Sequence, residues 1–148
     1  MTFREVTGDL LSSGFDTIGH GVNLRGVMGA GIAKTIANRW PTVVAPYRAA
    51  CRSGRLSLGG YQGHEAPDGP IIYNLATQRH TGPNAELWAV RASVAAALDD
   101  VERRGRGGLA IPRIGCGIGG LKWSEVREVL RDVSESCGPD LIVVTLGA

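Results

Sequence analysis

Apolar residues along this chain fall into two rhythms, short unbroken runs and helical stripes, and the order of those rhythms predicts the architecture. Thr2–Val6 alternates weakly and predicts a first strand, closed by Gly8-Asp9-Leu10-Leu11. Asp16–Asn23 predicts a short, buried second strand. A glycine-rich stretch follows at Gly26–Lys34, and a helix starting near Gly29 is expected to run to about Asn38, with Ile32 and Ile36 on one face. Trp40-Pro41 stops it, because a residue before proline is pushed out of the helical region. A second helix over Val44–Arg52 tolerates Pro46 in its first turn and ends at Gly54. Ser57–His64 is broken by glycines and predicts an edge strand. Pro70–Ala76 predicts a strong central strand that delivers Thr77-Gln78-Arg79-His80 to a loop.

Asn84 is expected to cap the longest helix, on which Leu87, Val90, Val94, Leu98 and Val101 recur at helical spacing. Arg103–Gly108 reads as an exposed exit and Leu109–Pro112 as a strand. A helix opening at Ser124 carries Val126, Val129, Leu130, Val133 and Cys137 on one face. Asp140–Leu146 closes the chain as a nearly all-apolar strand, of the kind covered on both faces. Strands alternating with helices predict a single three-layer α/β/α domain over residues 1–148, with loops at the strand C-termini forming a ligand crevice.

Composition narrows the function. The 148 residues are 43% hydrophobic and 20% charged, as in an ordinary globular domain with a real core. A net charge of +2 and 5% aromatic residues leave no strong nucleic-acid footprint. No apolar run approaches ~20 residues and no signal-peptide core is visible, so no membrane association is expected. Three cysteines, Cys51, Cys116 and Cys137, are an odd number without paired spacing, which points to a reducing, cytoplasmic setting. With no C-x-x-C and with His20, His64 and His80 scattered, neither a metal site nor a cofactor is expected.

The candidate chemistry lies in Ile111–Trp123, IPRIGCGIGGLKW. A buried strand, a glycine-rich turn and a helix N-terminus together make an anion site, because glycines admit backbone N–H groups to a phosphate and the helix dipole favours its charge. Gly26–Lys34, GVMGAGIAK, is a second such turn between a strand and a helix. Two facing glycine turns suit a ligand with a diphosphate in its middle. Gly115–Gly120 satisfies G-x-G-x-x-G, but it sits near the C-terminus and the next acidic candidate, Asp140, precedes its strand, which argues against a nicotinamide fingerprint. Lys122 is followed by Trp123 rather than Ser or Thr, which excludes a P-loop. Cys116 is either a nucleophile at a helix N-terminus or a small side chain beside a crowded phosphate. His80 is either a ligand or proton-transfer group or a solvated loop residue, and Asp9 can simply end a strand.

Gly8-Asp9-Leu10, Asn23 with the turn Met28–Ala33, and Pro112-Arg113-Ile114-Gly115-Cys116-Gly117 with Gly120-Leu121 and Trp123 together resemble the macrodomain family. The likeness extends over essentially the whole chain and is strongest to the branch of terminal ADP-ribose protein glycohydrolases and DarG-type antitoxin macrodomains. It implies a central mixed sheet and ADP-ribose as ligand. By that resemblance Asp9, beside Leu10, accepts from the adenine amino group. Met28, Gly29, Ala30, Gly31, Ile32 and Ala33, with Ile114, Gly115, Cys116, Gly117, Ile118, Gly119, Gly120 and Leu121, hold the diphosphate and distal ribose, next to Thr77. Asn23 falls at the edge of the distal-ribose pocket.

Active members of the branch carry an attacking lysine in a Thr-Lys-Arg-His loop; here Gln78 holds that place. The terminal glycohydrolase also has an aspartate where this chain has Gly119. Gln78 is neutral and a poor nucleophile, so the covalent lysine route is closed. The resemblance then implies a monomeric hydrolase of ADP-ribosylated protein, with ADP-ribosylated nucleic acid as a second substrate class. Water would be positioned by Gln78, Arg79 or His80, with Asn23 alongside. The alternatives are a non-catalytic ADP-ribose reader and an ADP-ribose 1″-phosphate phosphatase.

Overall fold

The computed structural model describes residues 2–147. Six strands form one sheet: β1 (Phe3–Thr7), β2 (Thr17–Val22), β3 (Tyr61–Glu65), β4 (Ile71–Ala76), β5 (Gly108–Ile111) and β6 (Asp140–Thr145), in spatial order β1-β6-β5-β2-β4-β3. All neighbours are parallel except β3, which runs antiparallel to β4, so the sheet is mixed. Four helices cover it: α1 (Gly31–Arg39), α2 (Val44–Ser53), α3 (Leu87–Arg103) and α4 (Trp123–Glu135), with a 3₁₀ turn at Pro41–Val43.

The burial pattern explains the layers. Every residue of β4 is buried, as its apolar run predicts for a strand covered on both faces. Tyr73 and Leu75 of β4 join Leu109 and Ile111 of β5 in a core beneath Val90, Val94 and Leu98 of α3 and Val126, Val129 and Leu130 of α4. Ile18, Ile72, Ala110 and Ile142 point the other way, toward Ile36 of α1 and Tyr47 and Ala50 of α2. The result is three layers, α/β/α.

Most expected elements form with ends moved by one to four residues, and the exceptions are informative. The edge strand starts at Tyr61 because Ser57–Gly60 makes a turn, with Gly60 N–H donating to Ser57 O. Strand β1 is also an edge and is mostly exposed. Gly54 ends α2 in the left-handed region, at φ 74°. Helix α4 stops at Glu135, leaving Cys137 past its end but still against the core. The expected first helix does not begin near Gly29: Ala30 is extended (φ −148°, ψ 160°), which leaves the Gly29–Ala30 backbone outside the helix. Asn84 does not cap α3. Glu86 occupies the N-cap position with no side-chain cap bond, and Asn84 instead closes the preceding loop, accepting from His80 N–H and donating to the carbonyls of His80 and Thr81 at 3.1 and 2.9 Å. Asparagine satisfies loop carbonyls as readily as helix N–H groups, and here the loop takes it.

Candidate active site

Parallel strands deliver their following loops to one edge, and a cavity of about 570 Å³ opens at the C-terminal ends of β2, β4 and β5. Its size suits a small molecule or cofactor fragment. Gly29, Ala30, Gly31, Ile32 and Ala33 wall it on one side with Val27, and Ile114, Gly115, Gly117, Ile118 and Gly119 on the other. Asn23, Thr77 and Gln78 complete the end above β2 and β4. The two glycine turns do face each other: a Cβ built on Gly31 would lie 3.2 Å from Ile118 Cδ1. Gly31, the first residue of α1, has φ 58°, a conformation that other residues rarely adopt.

The remaining expected residues stand behind or beside the walls. Met28 and Leu10 are buried in the core under α1 and α2, and Leu10 also borders a second, smaller cavity near Trp40. Cys116 and Leu121 pack against the opposite core, and Gly120 abuts Pro83. Asp9 is exposed and accepts from Leu11 N–H at 3.0 Å. Arg79 and His80 are exposed loop residues outside the cavity wall. Gly21, Val22, Thr81 and Gly82 also line it, as do Val27, Pro112 and Arg113, which lie within the expected turn regions but carried no expected role. Pro112 and Arg113 adjoin a glycine turn, so their position was a usable signal; Thr81 and Gly82 arrive only through the fold.

Hydrogen bonding fixes what each polar side chain presents. Gln78 Nε2 donates to the carbonyls of His80 (2.6 Å) and Gly82 (2.9 Å). Both amide protons are thereby used, and Oε1, an acceptor, is left for the cavity. Asn23 is occupied differently. Its Nδ2 donates to Val27 O, and its Oδ1 accepts from Arg25 N–H and Tyr47 Oη–H. Tyr47 Oη also reaches Asn23 O at 2.7 Å, and Arg48 Nε donates to Gly26 O at 3.1 Å, so α2 clamps the first glycine turn from below. Burial pushes the Tyr47 phenol upward, and it stays a donor. His80 Nδ1 accepts from Arg25 Nε at 2.9 Å.

Burial also raises the Cys116 thiol, which donates to Ile114 O at 3.6 Å, an environment that opposes thiolate formation. His20 is fully buried beneath the site; burial lowers it to about 4 despite its bond to Asn74 Oδ1 at 2.6 Å. Among the described residues no cluster of His, Cys, Asp and Glu could hold a metal, and no helix is long and apolar enough to cross a membrane. Among the described residues, one ionisable residue, Arg113, lines the cavity wall.

A family model described as Macro domain matches residues 20–130. The chain belongs to the macrodomain family. A DNA ADP-ribosyl glycohydrolase from Mycobacterium tuberculosis is 31% identical over 127 residues, covering 84% of this chain and 36% of the relative. The human ADP-ribose glycohydrolase OARD1 is 28% identical over 142 residues, covering 95% of this chain and 90% of that protein. The solved macrodomain of Mycobacterium tuberculosis DarG superposes with a TM-score of 0.88 at 27% identity, covering 97% of each chain. This macrodomain therefore spans little more than a third of the length of its DNA-directed curated relatives.

Proposed function

We propose that this macrodomain binds ADP-ribose between its two glycine turns and hydrolyses ADP-ribosyl conjugates. The observation that carries the reading is the facing pair of turns, whose backbone N–H groups suit a diphosphate. Relatives named as ADP-ribosyl glycohydrolases, one directed to DNA, support the hydrolytic half. Conjugates on protein carboxyl groups and on nucleic acid are the two substrate classes. Free cysteines throughout support action in a reducing cytoplasm, and the reading needs only one copy of the chain.

In the proposed step, water attacks the anomeric carbon of the distal ribose, the bond to the conjugated group breaks, and the proton of the water ends on the departing group. Gln78 Oε1 is the acceptor available to hold that water. Among the described residues no carboxylate or histidine lines the wall, which leaves the ligand's own phosphate to relay the proton. The same neutral wall favours a second reading, a module that binds ADP-ribose without chemistry. Incubation with ADP-ribosylated protein and ADP-ribosylated DNA, followed by assay of free ADP-ribose, separates the two. Release supports the hydrolase, binding without release makes the chain a reader, and absence of binding rejects both.

A further inference from the structure

Among the described residues Arg113 is the single charged side chain on the cavity wall, and its own surroundings hold it in place. Its guanidinium lies over the Trp123 ring at 5.0 Å, and its Nε donates to Thr145 Oγ1 at 3.2 Å. Its terminal nitrogens make no hydrogen bond or ion pair among the described residues. Glu5, a carboxylate that feels the Arg113 charge, is taken by Arg127, which donates to Glu5 Oε2 from Nε at 2.9 Å and from Nη2 at 2.7 Å. A planar cation stacked on one face and bonded at one corner has lost most of its freedom, while its two outer nitrogens still offer a fork that suits a phosphate.

Position decides which phosphate. Arg113 follows β5 and is tied to the end of β6, where Gly8 N–H also donates to Thr145 O and so brings the Asp9 turn alongside. Gln78 follows β4. Between β6 and β4 stand β5 and β2, three strand spacings or about 14 Å in all. A ligand lying across this edge from Gln78 toward the Asp9 turn brings its adenosine end to the Arg113 side.

We propose that Arg113 binds the adenosine-side phosphate of the ligand and supplies the charge that the glycine turns lack. The proposal rests on the ADP-ribose reading above. It is tested by titrating wild-type, Arg113→Gln and Arg113→Lys proteins with ADP-ribose at low and high salt, and by competition with AMP. Arg113→Gln is expected to weaken both ligands about tenfold, the scale of a screened charged hydrogen bond, and to flatten the salt dependence. Arg113→Lys should recover the salt dependence and part of the affinity. Competition by ribose 5-phosphate should be unchanged, because that fragment belongs at the Gln78 end.

Arg113→Gln binding within twofold of wild type overturns the proposal. So does a loss of ribose 5-phosphate competition equal to the loss of AMP competition, since Arg113 would then be propping the turn. A wild-type protein that AMP does not compete for overturns it as well. A wild-type protein that binds no ADP-ribose at all instead rejects the functional reading on which it rests.

Discussion

Gln78 Nε2 donates to the carbonyl oxygen of His80 at 2.6 Å, two residues along its own loop, and this bond sets the polarity of the cavity's end above β2 and β4. The second amide proton goes to Gly82 O, so the side chain closes the loop with its nitrogen and keeps its oxygen as the unused acceptor. A neutral amide oxygen can hold a water and is a far weaker nucleophile than a lysine amine.

Gln78→Ala should therefore lower turnover about 10- to 100-fold, less than the loss of a true general base, while ADP-ribose binds within a few-fold of wild type. In oxygen-18 water the wild-type product should carry label on the released ribose. Gln78→Lys should not introduce a covalent route. The two carbonyls that accept from Gln78 would hold the ammonium instead, keep it protonated and deny it a lone pair. Borohydride reduction followed by mass spectrometry should find no adduct; a trapped lysine would show that the side chain turns toward the ribose.

Gly117 and Gly119 should separate binding from folding. A Cβ on Gly117 meets nothing within 4 Å, so Gly117→Glu should keep the native circular dichroism while its carboxylate blocks the diphosphate and abolishes binding. A Cβ on Gly119 would stand 2.7 Å from Gly115 O and 2.8 Å from Ala85 Cβ. Gly119→Asp, the residue of the terminal glycohydrolase, should therefore distort the turn, lower the melting temperature and weaken binding. A gain of activity in Gly119→Asp would mean that the turn has a second stable form.

Tyr47→Phe tests the clamp beneath the first turn. The variant removes one hydroxyl that serves both oxygens of Asn23. It should cost about 1–2 kcal/mol of stability and weaken ADP-ribose about 3- to 10-fold. Amide exchange at Arg25 and Val27, whose N–H groups donate to Asn23 Oδ1, should speed up in parallel. Unchanged exchange would show that the turn holds its shape without α2.

His20 predicts an acid-sensitive fold. Its folded value of about 4 lies below its ordinary 6.5, so the unfolded chain binds the extra proton first and stability falls as pH drops from 6.5 toward 4. Denaturant unfolding should show a loss of about 2 kcal/mol between pH 6.5 and 5. His64, also lowered by partial burial, acts in the same direction, so His20→Gln is the control. That variant should lose most of the slope. The depressed Glu5 carboxyl, held by Arg127, withdraws its contribution only below about pH 4.5. An identical slope in His20→Gln would remove His20 from the account.

The sequence by itself determined the order of the elements, the buried face of each long helix and the two glycine turns, because period, apolar run length and glycine spacing are local properties of the chain. Val90, Val94 and Leu98 could only face a core, and the all-buried β4 could only lie inside the sheet. Which polar atom each site residue presents was decided by the tertiary structure. Asn23 is occupied by Tyr47, twenty-four residues away; Arg113 is fixed by Thr145, thirty-two residues away. Asn84 serves a loop rather than the helix it precedes, and Gln78 offers oxygen rather than nitrogen. A hydrogen bond is chosen among whatever donors and acceptors the fold brings within about 3 Å, and no periodicity along the chain records that choice.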